Sequence, residues 1–447
     1  MSEQPCAKVL HITPHFGGGV GTVLLGYLLH SSKTDPSLSH SVICLDYLND
    51  PSKQILFQEG IPFEERMYDT PEQILSQIED SDIVVVHWWN HPLLTDFLIR
   101  NPLPACRLII WCHITGSPAP NNLTPKILKY PDRFIFTTPV SYEVQEYKNL
   151  IESDRQHVST IWSTAGVERL QGIQLQAHEG FHVGYVGNLD PTKIHPEFVN
   201  LCKSIDVPNV RFTVIGPINN SLVDEARDQN MLDKMKFTGY ISEDEKWELL
   251  STFDVFGYPL ARHHYGSCDQ TIQESMAIGI PPVVFNNSME SYMVRNNDTG
   301  LVVEDSQQYV NAIKTLSMNP QKRFQLGANA RIFASKAYSI TESSSEWKEI
   351  FNQILQIEKS SKAWDIPNPS KMTPAEIFME SLGNYDGPFR RYFTSDDLNL
   401  ERHASGLRSI AHDRNWTSPT KSTVHQFLRF FPEDEILKKW SGLMIES

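Results

Sequence analysis

Uninterrupted apolar runs rich in Val and Ile recur through the first part of the chain: AKVLHIT, HSVICLDY, SDIVVVHWW, CRLIIWCH, RFIFTTPV and HVSTIW. A strand with one face in water alternates apolar and polar residues. A continuous run needs cover on both faces, which parallel strands flanked by helices obtain. The spacers provide that cover, since VGTVLLGYLLHSS and PEQILSQIED carry apolar residues at helical spacing. An α/β domain ending near Gly166 follows.

After the polar stretch QGIQLQAHEG the pattern restarts. FHVGYVG, a helix around PEFVNLCKSI, RFTVIGP, KMKFTGYI, the helix EDEKWELLSTF, DVFGYP and the strand PPVVF succeed one another. The expected fold class is α/β, with two Rossmann-like doubly wound parallel-sheet domains and a helical C-terminal appendage. The boundaries read as 1–170, 171–360 and 361–447, with ESSSEWKEIFNQILQIEKSS closing the second domain. Two such units in tandem leave a cleft at their strand ends, where sheets of this kind bind ligands. The appendage carries turns such as DIPNPSKMTP and aromatic residues including Phe378, Phe389, Trp416 and Phe427, which need something to pack on; a homodimer contact is one expectation.

Composition narrows the function. A formal net charge of -15 argues against nucleic acid as the main partner, because phosphate neutralisation needs clustered Lys and Arg. The six cysteines are scattered without metal-ligand spacing, which fits a reducing cytoplasm. No apolar run is long enough to cross a bilayer, so a cytoplasmic protein, free or peripheral at the membrane, is expected.

Four constellations could carry chemistry. In HFGGGVGT, Gly17 to Gly19 follow the first strand and let backbone approach a phosphate or sugar; a flexible turn is the plain alternative. His87 and His113 stand at the ends of successive strands, with Asn90 nearby, as groups for a phosphate or sugar hydroxyl or as satisfied structural residues. In VGNLDPTKIHPEF, Lys193 follows a turn and is a point charge for phosphate or a solvated lysine. In YGSCDQTIQESMAIGIPPVVF, Asp269 or Ser267 caps a helix from about Gln270 to Ile278, whose tip forms an anion site, with Glu274 about one turn inside.

These residues resemble the family-4 retaining glycosyltransferases of the GT-B fold, the glycosyltransferase group 1 enzymes, over roughly residues 8 to 355. The likeness rests on GGGVGT, VGNLDPTK, FTVIGP, KFTGYIS and above all QESMAIGIPPVVFNN. It implies a hexosyltransferase-like enzyme using a nucleoside diphosphate sugar, UDP-sugar first with GDP- and ADP-sugars as alternatives, and no metal. The acid strings do not contradict this, since Asp80 and Asp82 precede their strand and Asp396-Asp397 lies in the appendage.

By the same resemblance Glu274 takes the donor ribose hydroxyls, Lys193 the diphosphate, and Gly18 and Gly19 approach that diphosphate. His113 lies near the transferred sugar, Tyr240 and Ile241 flank the base, and the amides of Gln270 and Thr271 hold the distal phosphate. His87 and Asn90 fall on the acceptor side, where glycan, lipid, protein and small-molecule acceptors are all open. Two positions depart from the family: Gly266 stands where a glutamate is usual, with Asp269 the nearest acid, and Asn188 stands where an arginine is usual, with Arg262 a candidate replacement. An impaired nucleotide-binding or scaffold protein, or an epimerase or phosphorylase of the same architecture, is the alternative.

Overall fold

The computed structural model describes residues 6–395 and 399–445, so Asp396 and Asp397 lie outside the described residues. The chain divides into two compact units, residues 1–165 with 343–447, and residues 166–342.

In chain order the first unit contains β1 (Ala7–Thr13), β2 (Leu38–Cys44), β3 (Phe63–Glu64), β4 (Ile83–Trp88), β5 (Leu103–Cys106), β6 (Leu108–Cys112), β7 (Arg133–Phe136) and β8 (Val158–Thr160). All but β5 form one seven-stranded sheet, in the order β3-β2-β1-β4-β6-β7-β8, and every pairing in it is parallel. Every residue of β4 and β6 is buried, as the continuous runs require. Strand order reverses at β1, which pairs with β2 on one side and β4 on the other. That switch point opens a crevice at the carboxyl ends of β1 and β4. The Gly18–Thr34 helix starts there, and Gly18, at φ 58°, holds a left-handed conformation that favours glycine.

The second unit repeats the plan with β9 (Phe181–Val186), β10 (Val210–Ile215), β11 (Met235–Gly239), β12 (Val255–Tyr258), β13 (Pro282–Phe285) and β14 (Leu301–Val303). Its six-stranded sheet has the order β11-β10-β9-β12-β13-β14, with the reversal at β9. The Gln270–Ile278 helix has the bounds its sequence suggests and stops at Gly279, whose φ of 94° cannot continue a right-handed helix.

The C-terminal part differs from its sequence reading. Residues 361–447 are not an appendage of their own, because they belong to the first unit. β15 (Ser360–Lys362) pairs antiparallel with β5, and Trp364, Phe378, Phe389, Phe427 and Trp440 share one buried cluster with Leu94, Phe97 and Phe134. The aromatic residues that suggested a self-association surface therefore fill this unit's own core. The Ile340–Ile354 helix is reassigned for the same reason. It was expected to close the second unit, but from Ser343 onward it belongs to the first, where Trp347 packs on Trp111 with ring centroids 4.6 Å apart.

If the C-terminal segment is core, Phe378→Ala will destabilise the first unit by about 3–5 kcal/mol. Amide exchange in the Pro92–Arg100 helix, which shares that cluster, should quicken with it; a helix unaffected by the substitution would contradict the shared core.

Candidate functional site

The loops leaving β9, β10 and β11 surround a cavity of about 430 Å³, lined among others by Gly187, Asn188, Gly216, Tyr240, Ile241 and Lys246. These loops continue from the carboxyl ends of neighbouring strands, the usual ligand-binding end of such a sheet. The Tyr240 ring is 86 % exposed, an open apolar face at the cavity. Lys246 comes from the Glu243–Leu250 helix, which a reciprocal capping box between Ser242 and Glu245 fixes at its start.

Lys246 is one of two cations on a buried carboxylate. Glu274, its side chain 5 % exposed, lies 2.6 Å from Arg169 Nη2 and 3.2 Å from Lys246 Nζ. Arg169 also reaches Glu243 at 3.0 Å, and both cations sit over the Trp247 ring, at 5.1 and 3.8 Å from its centroid. Burial pushes the Glu274 carboxyl above its ordinary range, opposed by Lys246 and Arg169.

A second buried pair lies in the same unit. Lys193 Nζ donates to Asp269 Oδ1 at 2.9 Å, and each side chain is 11 % exposed. Burial alone would depress the Lys193 ammonium, but Asp269 and the hydroxyls of Tyr258, Tyr265 and Tyr185 hold it well above the usual lysine range. Burial would raise Asp269, yet Lys193 and His264 bring it below the usual carboxylate range. Asp269 is the N-cap residue of the Gln270–Ile278 helix but makes no side-chain cap bond, because its carboxylate turns to Lys193. It also fills the space beside Gly266: a Cβ built there would stand 3.1 Å from Asp269 Oδ2 and 2.8 Å from His264 Nδ1. Lys193 is not among the cavity-lining residues, while Asn188 is, and Asn188 Nδ2 donates to the Tyr265 hydroxyl at 3.4 Å.

In the first unit the strand-end histidines are part of a longer array. His40, His11, His87 and His113 form a hydrogen-bonded chain with N···N distances of 3.0, 3.1 and 2.9 Å, and Ser31 Oγ lies 2.8 Å from the far nitrogen of His40. Burial drives all four pKa values down, to about 4 for His40 and about 3 for His113, and well below the usual range for His11 and His87. Beside this chain His15 stacks on Tyr47 at 5.0 Å and meets Trp89 edge-on at 5.1 Å. Burial, Lys421 and Arg429 lower the His15 pKa to about 4, which places two C-terminal cations near the β1 loop.

Residues 168–333 match the sequence pattern of the family described as "Glycosyl transferases group 1". They form a group 1 glycosyltransferase domain. EpsF of Bacillus subtilis (strain 168), named as a glycosyltransferase, is 29% identical over 112 residues, which are 24% of this chain and 28% of EpsF; the match thus spans under a third of that relative. Over about three quarters of its length the chain is similar in fold to solved GT-B glycosyltransferases. The crystal structure of Anabaena Alr3699/HepE in complex with UDP matches with a TM-score of 0.60 at 15% identity, covering 77% of this chain and 100% of that one. Sucrose-phosphate synthase from Thermosynechococcus elongatus matches with 0.59 at 14% identity, covering 78% and 99%.

The glycosyltransferase domain brings Asn188, Tyr240 and Ile241 together around the cavity, with Glu274 behind Lys246. Gln270 and Thr271 open the helix beside Asp269. Arg262 is exposed in the loop after β12. Gly18 and Gly19 are exposed at the start of the first unit's Gly18–Thr34 helix, where a Cβ would meet nothing within 4 Å. Two expectations are corrected. His87 is fully buried within the imidazole chain, and Asn90 is 1% exposed with its amide donating to the Pro120 and Asn122 carbonyls, so neither side chain offers a surface to an acceptor. Sequence reasoning missed Arg169 and Lys246, which lie 105 and 28 residues from Glu274, beyond any local spacing signal.

Both buried systems carry a pH signature. Asp269 is more acidic folded than its free value of 3.8; its share of stability is complete above that pH and is lost as acid titrates the folded carboxylate. Asp269→Asn should therefore cost the second unit about 3–5 kcal/mol at neutral pH, by leaving a buried ammonium unpaired, and flatten its acid limb in urea titrations. The four histidines have folded values below 6.5. Their contribution is complete above pH 6.5 and falls as pH drops towards 4, by about 1.4 kcal/mol per pH unit for each ring. A first unit equally stable at pH 7 and pH 4.5 would contradict their burial as neutral rings.

Proposed function

We propose that the protein is a retaining glycosyltransferase that moves a sugar from a nucleoside diphosphate donor, UDP-sugar first, to an acceptor bound by the first unit, without a metal ion. The observation that carries this reading is the β9–β11 cavity, which lies within the glycosyltransferase domain and is lined by the exposed Tyr240 and by Lys246, one of the two cations on the buried Glu274. Tyr240 and Ile241 take the base. Glu274 accepts the ribose hydroxyls, and Arg169 and Lys246 offset the cost of keeping it buried. The UDP complex of the Anabaena relative supports the choice of nucleotide.

Departure of the diphosphate needs positive charge where negative charge accumulates, and fixed charges in a dry site do this without reorganising. Lys193 supplies it, with Arg262 and the tip of the Gln270–Ile278 helix, whose dipole adds a partial positive charge. Asp269 keeps the Lys193 ammonium protonated and fills the space beside Gly266. In the first unit, Gly18 and Gly19 offer backbone amides suited to a phosphate, and His113 is that unit's candidate group for a sugar hydroxyl. In a retaining reaction on one face the leaving phosphate takes the acceptor's proton, which removes the need for a dedicated base. The aromatic group of Tyr47 and Trp89 with the nearby Arg429 suits a saccharide acceptor carrying negative charge. The protein then acts in the cytoplasm, free or at the membrane surface.

One observation favours a second reading. Asp269 already neutralises Lys193, and Asn188 is uncharged, an arrangement suited to a nucleotide-binding protein without turnover. The two separate cleanly. Under the first reading UDP raises the melting temperature, UDP-sugars are slowly hydrolysed, and Lys193→Ala lowers kcat by about 10²–10³. Nucleotide stabilisation with no turnover of any donor would establish the second reading, and Lys193→Ala at the parental rate would remove the lysine from the mechanism.

A further inference from the structure

A second cavity, of about 540 Å³, opens at the other end of the strands that carry the Tyr240 cavity. It is lined by His182 near the start of β9, by Arg211 and Thr213 of β10, and by Lys236 of β11. Of the charged residues around it, Arg211, Lys234 and Lys236 are basic and Asp233 alone is acidic. The chain carries 54 acidic and 39 basic residues, so a basic side chain has a surplus of carboxylates to pair with. Lys193 and Lys246 both do so. Arg211, Lys234 and Lys236 take part in no ion pair among the described residues.

An exposed lysine is ordinarily just a solvated one, but the register gathers these cations on one surface. His182 pairs with Arg211 across β9 and β10, and Thr213 pairs with Lys236 across β10 and β11. A step of two residues keeps side chains on the same face, so Arg211, Thr213 and Lys236 share the face of His182. Arg211 and Lys236 are diagonal neighbours there, with α-carbons about 8 Å apart by the strand spacing and rise. Like charges so placed repel, and a single phosphate accepting from both removes that cost. Lys234, one residue before β11, adds a third charge.

The cavity is built in advance of any ligand. The buried His182 ring lies 2.8 Å from Thr213 Oγ1 and 3.0 Å from the Thr252 carbonyl, which ties the β10 floor to the wall formed by Leu249 and Thr252. Leu232, 41% exposed, joins Leu249 in giving the cavity an apolar part. Its volume is that of a small-molecule site. It is also distinct from the Tyr240 cavity, since no residue lines both. From Arg211 to Ile215, which lines the other cavity, β10 runs for about 13 Å, further than one diphosphate reaches.

We propose that this cavity at the amino end of the second sheet is a separate binding site for a small organic phosphate, whose phosphate is held by Arg211, Lys234 and Lys236 and whose organic part rests on Leu232 and Leu249. The site stands apart from the glycosyltransferase reading, because none of the groups assigned to the donor takes part in it.

The test is isothermal titration calorimetry of the full chain with phenyl phosphate, and with benzyl alcohol as the uncharged control. Saturable binding of phenyl phosphate and none of benzyl alcohol are expected. Arg211→Gln combined with Lys236→Gln removes two charged donors from exposed positions, and should weaken phenyl phosphate binding by about tenfold or more. Should the double variant not fold, Lys234→Gln, which lies outside the strands, gives the same readout. Tyr240→Ala alters the other cavity and should leave the phenyl phosphate affinity unchanged. A parental chain that does not bind phenyl phosphate, cation variants that bind it as tightly as the parent, or binding lost in Tyr240→Ala each overturns the proposal.

Discussion

A polar side chain buried among parallel strands has to be satisfied by another protein group, because helices cover both faces of the sheet. This constraint organises each unit. In the second, Glu274 is held by Arg169 and Lys246, and Lys193 by Asp269. In the first, four imidazoles satisfy one another. None of these groups could be left alone: an ionised carboxylate or ammonium without a partner would lose more through desolvation than the surrounding packing returns. Removing one member therefore affects the others, and the chemistry of each unit is tied to its stability.

The two systems solve the problem differently. Ion pairs keep charge inside the second unit, where a departing diphosphate would need it. The imidazole array keeps charge out of the first, since burial makes protonation costly at every ring. A site that must hold an anion gains from standing positive charge. A site that only has to orient a hydroxyl gains from neutral rings, which cost less to desolvate than ions.

Much of the architecture was legible because the strand signal is local. AKVLHIT and PEQILSQIED coincide with a strand and a helix, and the Gln270–Ile278 helix has its expected bounds. β3, β14 and β15 were missed, being only two or three residues long, too short for periodicity to register. The C-terminal segment was misassigned for a related reason. Its aromatic residues announced burial, but sequence does not say against which core, and the β5–β15 pairing joins residues about 250 positions apart.

The site was legible in its residue types and less so in their partners. Glu274, Lys193 and Asp269 were singled out from one helix tip and one loop, yet the cap expected of Asp269 gave way to a charge-assisted bond with Lys193, which is the stronger interaction. Arg169 and Lys246 lacked any marker, because what defines them is a carboxylate on another element. His87 illustrates the converse. Its position at a strand end suggested contact with a ligand, whereas the structure makes it the link between His11 and His113. The two-residue offset per strand sets His87 one step behind His113 on the same face, and both rings are buried.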